Sequence, residues 1–235
     1  GIKTAIVMPE DAPRAKLENT RRLGGEVITY DRYTGDREAL ARQIAAERGA
    51  VVVPSYDHDF IIAGQGTVGL EITAQCAEIG IEPDHVLVCC GGGGLIAGSA
   101  TALKARWPNV SVHSVEPEGF DDTARSLLSG ERERIDGSAR SICDALQAHS
   151  PGKLTFAINK RLLDEGLVVT DAQVREAIRF AFRNLKLVAE PGGAVALAAV
   201  LSGKVDTRGK TTVVVISGGN VDGELFAEIQ REVSG

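Results

Sequence analysis

Short apolar runs alternate with longer stretches of helical periodicity along this chain, and that alternation is the feature that most limits its fold. The runs are TAIVM (4–8), EVITY (26–30), VVV (51–53), HVLVCC (85–90), VSVHSVE (110–116) and TTVVVIS (211–217). Helical patterns cover 13–23, 36–48, 65–79, 95–106, 171–187 and 192–202, and the one at 171 follows Thr170 with Gln173 in capping-box spacing. Strands separated by helices predict βαβ units, and therefore an α/β fold of mostly parallel twisted sheets flanked by helices. The texture changes at PSYDHDFIIA (54–63), which is polar and turn-rich. A boundary is expected there, between a small domain over 1–60 and a larger one over 61–235. The first strand follows Gly1 with almost no lead-in and no initiator methionine. The chain is therefore expected to begin inside a longer one.

At 235 residues, 43% hydrophobic and 25% charged, the chain has the means to bury a core as a soluble globular protein does. A formal net charge of −6 argues against nucleic acid or an anionic membrane surface as its main partner. No apolar run reaches the length of a membrane span, and no cationic start precedes an apolar signal segment. A cytoplasmic location is expected. Cys76, Cys89, Cys90 and Cys143 have no CxxC spacing, which predicts reduced thiols in place of disulfides or a zinc site. The polar residues of YDHDF (56–60) are too closely spaced to converge on one ion and read as a solvated interdomain loop. His85, His113 and His149 have no catalytic partner recognisable in sequence.

The densest chemical signal is CCGGGGLIAG (89–98), four glycines between an apolar strand and an apolar helix. A helix N-terminus offers unpaired N–H groups and partial positive charge, so a side-chain-free turn there can cradle a phosphate. A ligand-free tight turn is the plain alternative. Gly92-x-Gly94-x-x-Ala97 also satisfies a dinucleotide fingerprint, with Glu116 placed about 20 residues on, where a ribose carboxylate would stand. That reading makes the chain a nicotinamide-dependent oxidoreductase. Two further glycine loops, AEPGGAVALAA (189–199) and VVVISGGNVD (213–222), have no place in it. Three such loops suggest one flat, phosphate-bearing ligand.

Taken in order, APRAKLENTRRLGGEVI, IAGQGTVGLEI, GGGGLIAG, EPGGAVALAAV and SGGNVD resemble the serine/threonine dehydratase and serine racemase family over nearly the whole chain. Those are fold-type-II, tryptophan-synthase-β-like enzymes that depend on pyridoxal 5'-phosphate. The resemblance implies that Gly91, Gly92, Gly93, Gly94 and Leu95 wrap the cofactor phosphate. It implies that Ser217, with Gly218 beside it, hydrogen-bonds the pyridine nitrogen, and that Glu190 lies near the ring. A hydroxyl at that nitrogen makes the cofactor a mild electron sink, suited to β-elimination. EPEGFDD (116–122) matches a segment that binds Mg²⁺ or Ca²⁺ through Glu116, Asp122 and the carbonyl of Phe120. A solvated acidic loop is the equal alternative from the residues alone. The implied reaction is dehydration and deamination of serine, threonine or 3-hydroxyaspartate to a 2-oxo acid and ammonia, in a homodimer, with racemisation as a side reaction.

Two departures qualify the resemblance. The family's Schiff-base lysine stands upstream in a Ser/Thr-Phe-Lys-x-Arg context, before a Ser-x-Gly-Asn-His loop that grips the substrate carboxylate. Lys3, Lys16, Lys104, Lys153, Lys160, Lys186, Lys204 and Lys210 all lie in other contexts. The chain alone is therefore expected to be an inactive, N-terminally truncated portion of the enzyme, or a non-catalytic phosphate-binding fragment. ICDALQ (142–147) stands where dehydratases commonly show Asp-Gly. Ala145 is thus expected to add a methyl group near the cofactor plane.

Overall fold

Two parallel sheets organise the protein, and each belongs to its own unit. The computed structural model describes residues 1–232. One unit comprises Gly1–Val53 and Asn220–Arg231; the other comprises Pro54–Gly219 together with Glu232. The division falls after Val53, not after residue 60, and a C-terminal segment returns to the first unit.

In the first unit β1 (Ala5–Pro9) and β2 (Glu26–Tyr30) pair in parallel around α1 (Arg14–Arg22), with α2 (Arg37–Arg48) following. Asp36 caps α2 by accepting the Glu38 and Ala39 amides. The Asp222 carboxylate accepts the N–H groups of Arg14 and Ala15, where the sequence supplies no cap of its own. Asp222 lies just before α9 (Gly223–Arg231), a helix the sequence pattern did not reveal. The predicted strand at 51–53 does not form. A valine run becomes a strand only with a ladder partner, and none of the described residues pairs with it. Val51 and Val53 stay 89% and 75% exposed.

The second unit carries a four-stranded all-parallel sheet in the order β5-β4-β3-β6. These strands are β3 (His85–Cys89), β4 (Ser111–Pro117), β5 (Glu165–Val169) and β6 (Thr212–Val214). β3 is central and almost wholly buried, as a strand covered on both faces must be. Against it pack α4 (Gly94–Arg106) and α8 (Pro191–Leu201), and α3 (Asp59–Glu78) packs on α4. Val86, Val88, Ile96, Leu103, Trp107 and Val112 form the heart of the core. α3 and α4 approach backbone to backbone. A Cβ at Gly69 would sit 2.5 Å from the Ser99 carbonyl, and one at Gly98 would collide with the Ile62 carbonyl.

α3 starts six residues earlier than its periodicity suggested, because the His58 ring accepts the Phe60 amide and caps it. The segment at 56–60 is thus in part a helix start and not only a solvated loop. α7 (Asp171–Phe180) opens on the expected Thr170–Gln173 capping box, then widens into a π-helical turn over Ala181–Leu185. β5, α5 (Asp122–Ser129) and α6 (Lys153–Leu162) have no counterpart among the predicted elements. Because every strand runs the same way, the segments that follow β3, β4 and β6 all emerge at one edge of the sheet.

Candidate active site

Gly91 to Gly94 leave β3 at that edge and lead directly into α4. Gly93 takes φ +91°, a left-handed conformation in which a side chain is strained. Space excludes a side chain as well: a Cβ at Gly93 would lie 2.8 Å from Asn159 Nδ2 and 3.1 Å from Thr155. The Tyr56 ring lies against Gly92, and the Tyr56 backbone and Cβ lie against Gly94. Leu95 occupies the first turn of α4 and packs on the core.

The other two glycine loops meet this one. The Glu190 amide donates to the Gly218 carbonyl at 2.9 Å, and a Cβ at Gly193 would lie 2.6 Å from that same carbonyl. The Glu190 carboxylate is packed directly against Gly218. Ala145 bridges the set: its Cβ is 3.3 Å from the Cβ position of Gly192, and its carbonyl is 3.4 Å from that of Gly91. Ser217 Oγ accepts the thiol hydrogen of Cys89 at 3.1 Å. Residues from 89 to 218 thus converge on one side-chain-poor hollow.

After β4 the same edge is acidic. Glu116 is fully buried, and its two oxygens accept the amides of Thr123 (2.9 Å) and Ala124 (2.7 Å) at the start of α5. Asp122 is also fully buried, yet neither of its oxygens finds a hydrogen-bond partner on another residue. Burial pushes the Asp122 carboxyl up to about 7. Glu116 is raised well above the usual carboxylate range, by burial first and then by the charge of Asp122. Phe120 is buried between them in sequence and stacks on His149. Among the described residues no three His, Cys, Asp or Glu side chains gather as a cation shell. Glu116 and Asp122 remain as a pair of buried carboxylates, and the orphaned Asp122 suits a cation.

The model of the family described as "Pyridoxal-phosphate dependent enzyme" matches residues 1–218. This chain belongs to that family. Its sequence is 40% identical over 227 residues to serine racemase of Schizosaccharomyces pombe, covering 97% of this chain and 69% of the relative. It is 39% identical to L-threo-3-hydroxyaspartate ammonia-lyase of a Pseudomonas species, covering 98% and 70%. Among solved structures, maize serine racemase superposes with a TM-score of 0.87 at 35% identity, over 97% of this chain and 69% of that one. The fold is accordingly that of the fold-type-II pyridoxal-phosphate enzymes.

Pyridoxal phosphate suits this loop in one respect: its phosphate needs backbone donors at a helix start, and four glycines present amides there with no side chains of their own. The nicotinamide reading fails at Glu116. Its side chain is fully buried and faces the α5 amides inside the protein, so a bulky ribose cannot reach it, although each oxygen keeps a lone pair.

Several residues escaped sequence reasoning. Asp57 caps α6 from a distance, accepting the amides of Lys153, Leu154 and Thr155. Thr155 and Asn159 reach the glycine loop itself. Their i, i+4 spacing was visible, but the helix carrying them was not predicted. His85 Nδ1 and His113 Nε2 lie 3.1 Å apart at the opposite edge of the sheet, a pairing 28 residues apart that only the β3–β4 register reveals. All four cysteines are free and buried, and burial pushes the Cys143 thiol up to about 12. No helix among the described residues is long and apolar enough to cross a membrane.

Proposed function

We propose that the complete protein is a pyridoxal-phosphate ammonia-lyase that converts a β-hydroxy amino acid to a 2-oxo acid and ammonia, with serine, threonine and 3-hydroxyaspartate as candidate substrates. The observation that carries this reading is the convergence of Gly91–Gly94, Ala145, Glu190 and Ser217 on one hollow. Relatives named as ammonia-lyases support the reaction class. The names of the relatives also include serine racemase, which favours racemisation at the same carbon as the second activity.

Each residue has a task in this reading. The N–H groups of Gly91–Gly94 and Leu95 hold the phosphate at the start of α4. Ser217 Oγ accepts from Cys89, which leaves its own O–H to donate to the pyridine nitrogen. Pyridoxal phosphate, when bound, supplies the electron sink that makes the substrate α-proton removable and lets the β-hydroxyl depart. A hydroxyl beside the ring nitrogen keeps that sink mild. Gly218 and Glu190 close the side of the hollow, and the Ala145 methyl group limits the space where relatives of the dehydratase type carry glycine. Glu116, Asp122 and the Phe120 carbonyl take Mg²⁺ or Ca²⁺, whose charge balances the buried carboxylates. The acidic composition and reduced cysteines support a cytoplasmic location. The homodimer rests on the family resemblance.

Borohydride reduction of the protein purified from its own cells, followed by peptide mapping, tests the cofactor chemistry. A pyridoxyl-lysine is expected, together with ammonia and a 2-oxo acid formed from at least one of the three substrates. Absence of both label and keto acid would overturn the proposal.

A further inference from the structure

The cradle loop is not held by its own strand and helix alone. Thr155 and Asn159 stand one turn apart on α6, both fully buried, and both reach its carbonyls. Thr155 Oγ1 donates to the Gly92 carbonyl at 2.7 Å, and Asn159 Nδ2 donates to the Gly93 carbonyl at 3.4 Å. All peptide bonds among the described residues are trans. In a trans peptide the N–H points away from the preceding carbonyl. Fixing the carbonyls of Gly92 and Gly93 toward α6 therefore turns the N–H groups of Gly93 and Gly94 the other way. That is the orientation an anion requires. With Gly93 at φ +91° these peptides have no side chains of their own to resist rotation.

Thr155 and Asn159 add position to these peptides more than stability. The Gly92 carbonyl already accepts the Gly152 amide at 3.2 Å, and the Gly93 carbonyl already accepts the Ala97 amide at 3.0 Å. Neither carbonyl would be orphaned without the side chains. Asn159 even leaves its Oδ1 buried with no partner, which costs stability that an apolar side chain of similar size would not. Asp57 fixes the clasp in turn, capping the first turn of α6 through the amides of Lys153, Leu154 and Thr155.

We infer that Thr155 and Asn159 are positioning residues for the cofactor's phosphate group, acting through the peptide planes of Gly92 and Gly93. The inference rests on the reading of Gly91–Gly94 as the phosphate site and names the residues that shape it. Its test is a spectroscopic titration of the complete protein with pyridoxal 5'-phosphate and, separately, with pyridoxal, which lacks the phosphate.

Thr155→Val is expected to weaken pyridoxal phosphate binding about tenfold and Asn159→Leu about threefold, with pyridoxal affinity unchanged in both. Thr155→Ser, which restores the hydroxyl, is expected to recover wild-type affinity. Asn159→Leu is expected to unfold at the wild-type temperature or above it, so a defect in it cannot be blamed on misfolding. Unchanged phosphate-cofactor affinity in both variants would overturn the inference, as would equal losses for the two ligands. If the wild-type protein binds pyridoxal as tightly as its phosphate ester, the phosphate site itself is misassigned. That result is separable because it appears before any substitution is made.

Discussion

The loops that follow β3 and β4 stand side by side at one sheet edge, joined in register through Cys89 and Val115, yet they are opposite in character. The first has four glycines in place of side chains and runs straight into a helix start. The second buries two carboxylates and turns the amides of the next helix start inward, onto Glu116. Topology gives both segments the same crevice. What differs is who satisfies the helix N-terminus: the cofactor's phosphate in the first case, under the function proposed above, and the protein in the second. The position in an α/β sheet marks where binding happens, and the residues at the helix start set the charge of what is bound.

The sharpest break of that contrast is Gly93→Ala. A methyl group there must accept a left-handed backbone and meet Asn159 at 2.8 Å, so the loop has to open. Pyridoxal phosphate affinity is expected to fall on the order of a hundredfold in an absorbance titration. A variant that binds normally would mean that the loop conformation is not what holds the phosphate. On the acidic side, Glu116→Ala leaves two buried amides without acceptors, and the thermal midpoint is expected to drop by roughly 5–10 °C. Glu116→Gln keeps an acceptor and should lose less.

Much of this contrast is legible in the chain itself. Strand and glycine runs such as HVLVCCGGGGL carry their own geometry, because apolar periodicity, glycine tolerance and helix start lie within a dozen residues. What could not be read depends on distant partners. The 51–53 run has strand chemistry and no ladder. β5, with Glu165 and Gly166 at its head, has too little apolar pattern to declare itself, and its pairing with β4 makes it a strand. The same holds in the site. Gly91–Gly94 and Ser217 stand out by motif, whereas Thr155, Asn159 and Asp57 matter only because α6 is packed across the loop. Glu116 was visible as an acidic residue, but its commitment to α5 amides was not.

A smaller effect separates the two carboxylates. Glu116 accepts two amides of the protein, while neither oxygen of the buried Asp122 has a hydrogen-bond partner on another residue. Mg²⁺ or Ca²⁺ is expected to raise the thermal midpoint of the wild-type protein by about 5 °C, read by differential scanning fluorimetry with and without chelator. Asp122→Asn should abolish the response. A variant that keeps it would place the cation elsewhere.

The far ends of the same strands provide a control. His113 is held below the ordinary histidine range, by burial first and then by His85, with Asp164 and Glu165 pulling the other way and Lys104 adding to the depression. A depressed folded value means that the unfolded chain binds the proton more readily. Stability is therefore intact above the unfolded value of about 6.5 and declines as pH falls below it. A fall of about 2–3 °C in midpoint from pH 7.5 to 5.5 is expected from this pair, and His113→Gln should flatten that slope while leaving cofactor affinity alone. A matching loss of cofactor affinity would mean that the two sheet edges are coupled.

The smallest expected effect lies where the contrast is finest, at the last residue of β3. Cys89 is buried, and burial raises its thiol, so it remains an S–H donor to Ser217 Oγ at neutral pH. Thiols are weak donors, and removing one leaves Ser217 in the loop after β6 with a freer hydroxyl rotor. Cys89→Ala is expected to weaken pyridoxal phosphate binding by about twofold and to displace the absorption maximum of the bound cofactor. Ser217→Ala should displace it further, and the double variant should behave as Ser217→Ala alone, because Cys89 acts only through that hydroxyl. Additive displacements would instead give Cys89 its own contact with the cofactor, and the thiol would then belong to the hollow and not to its support.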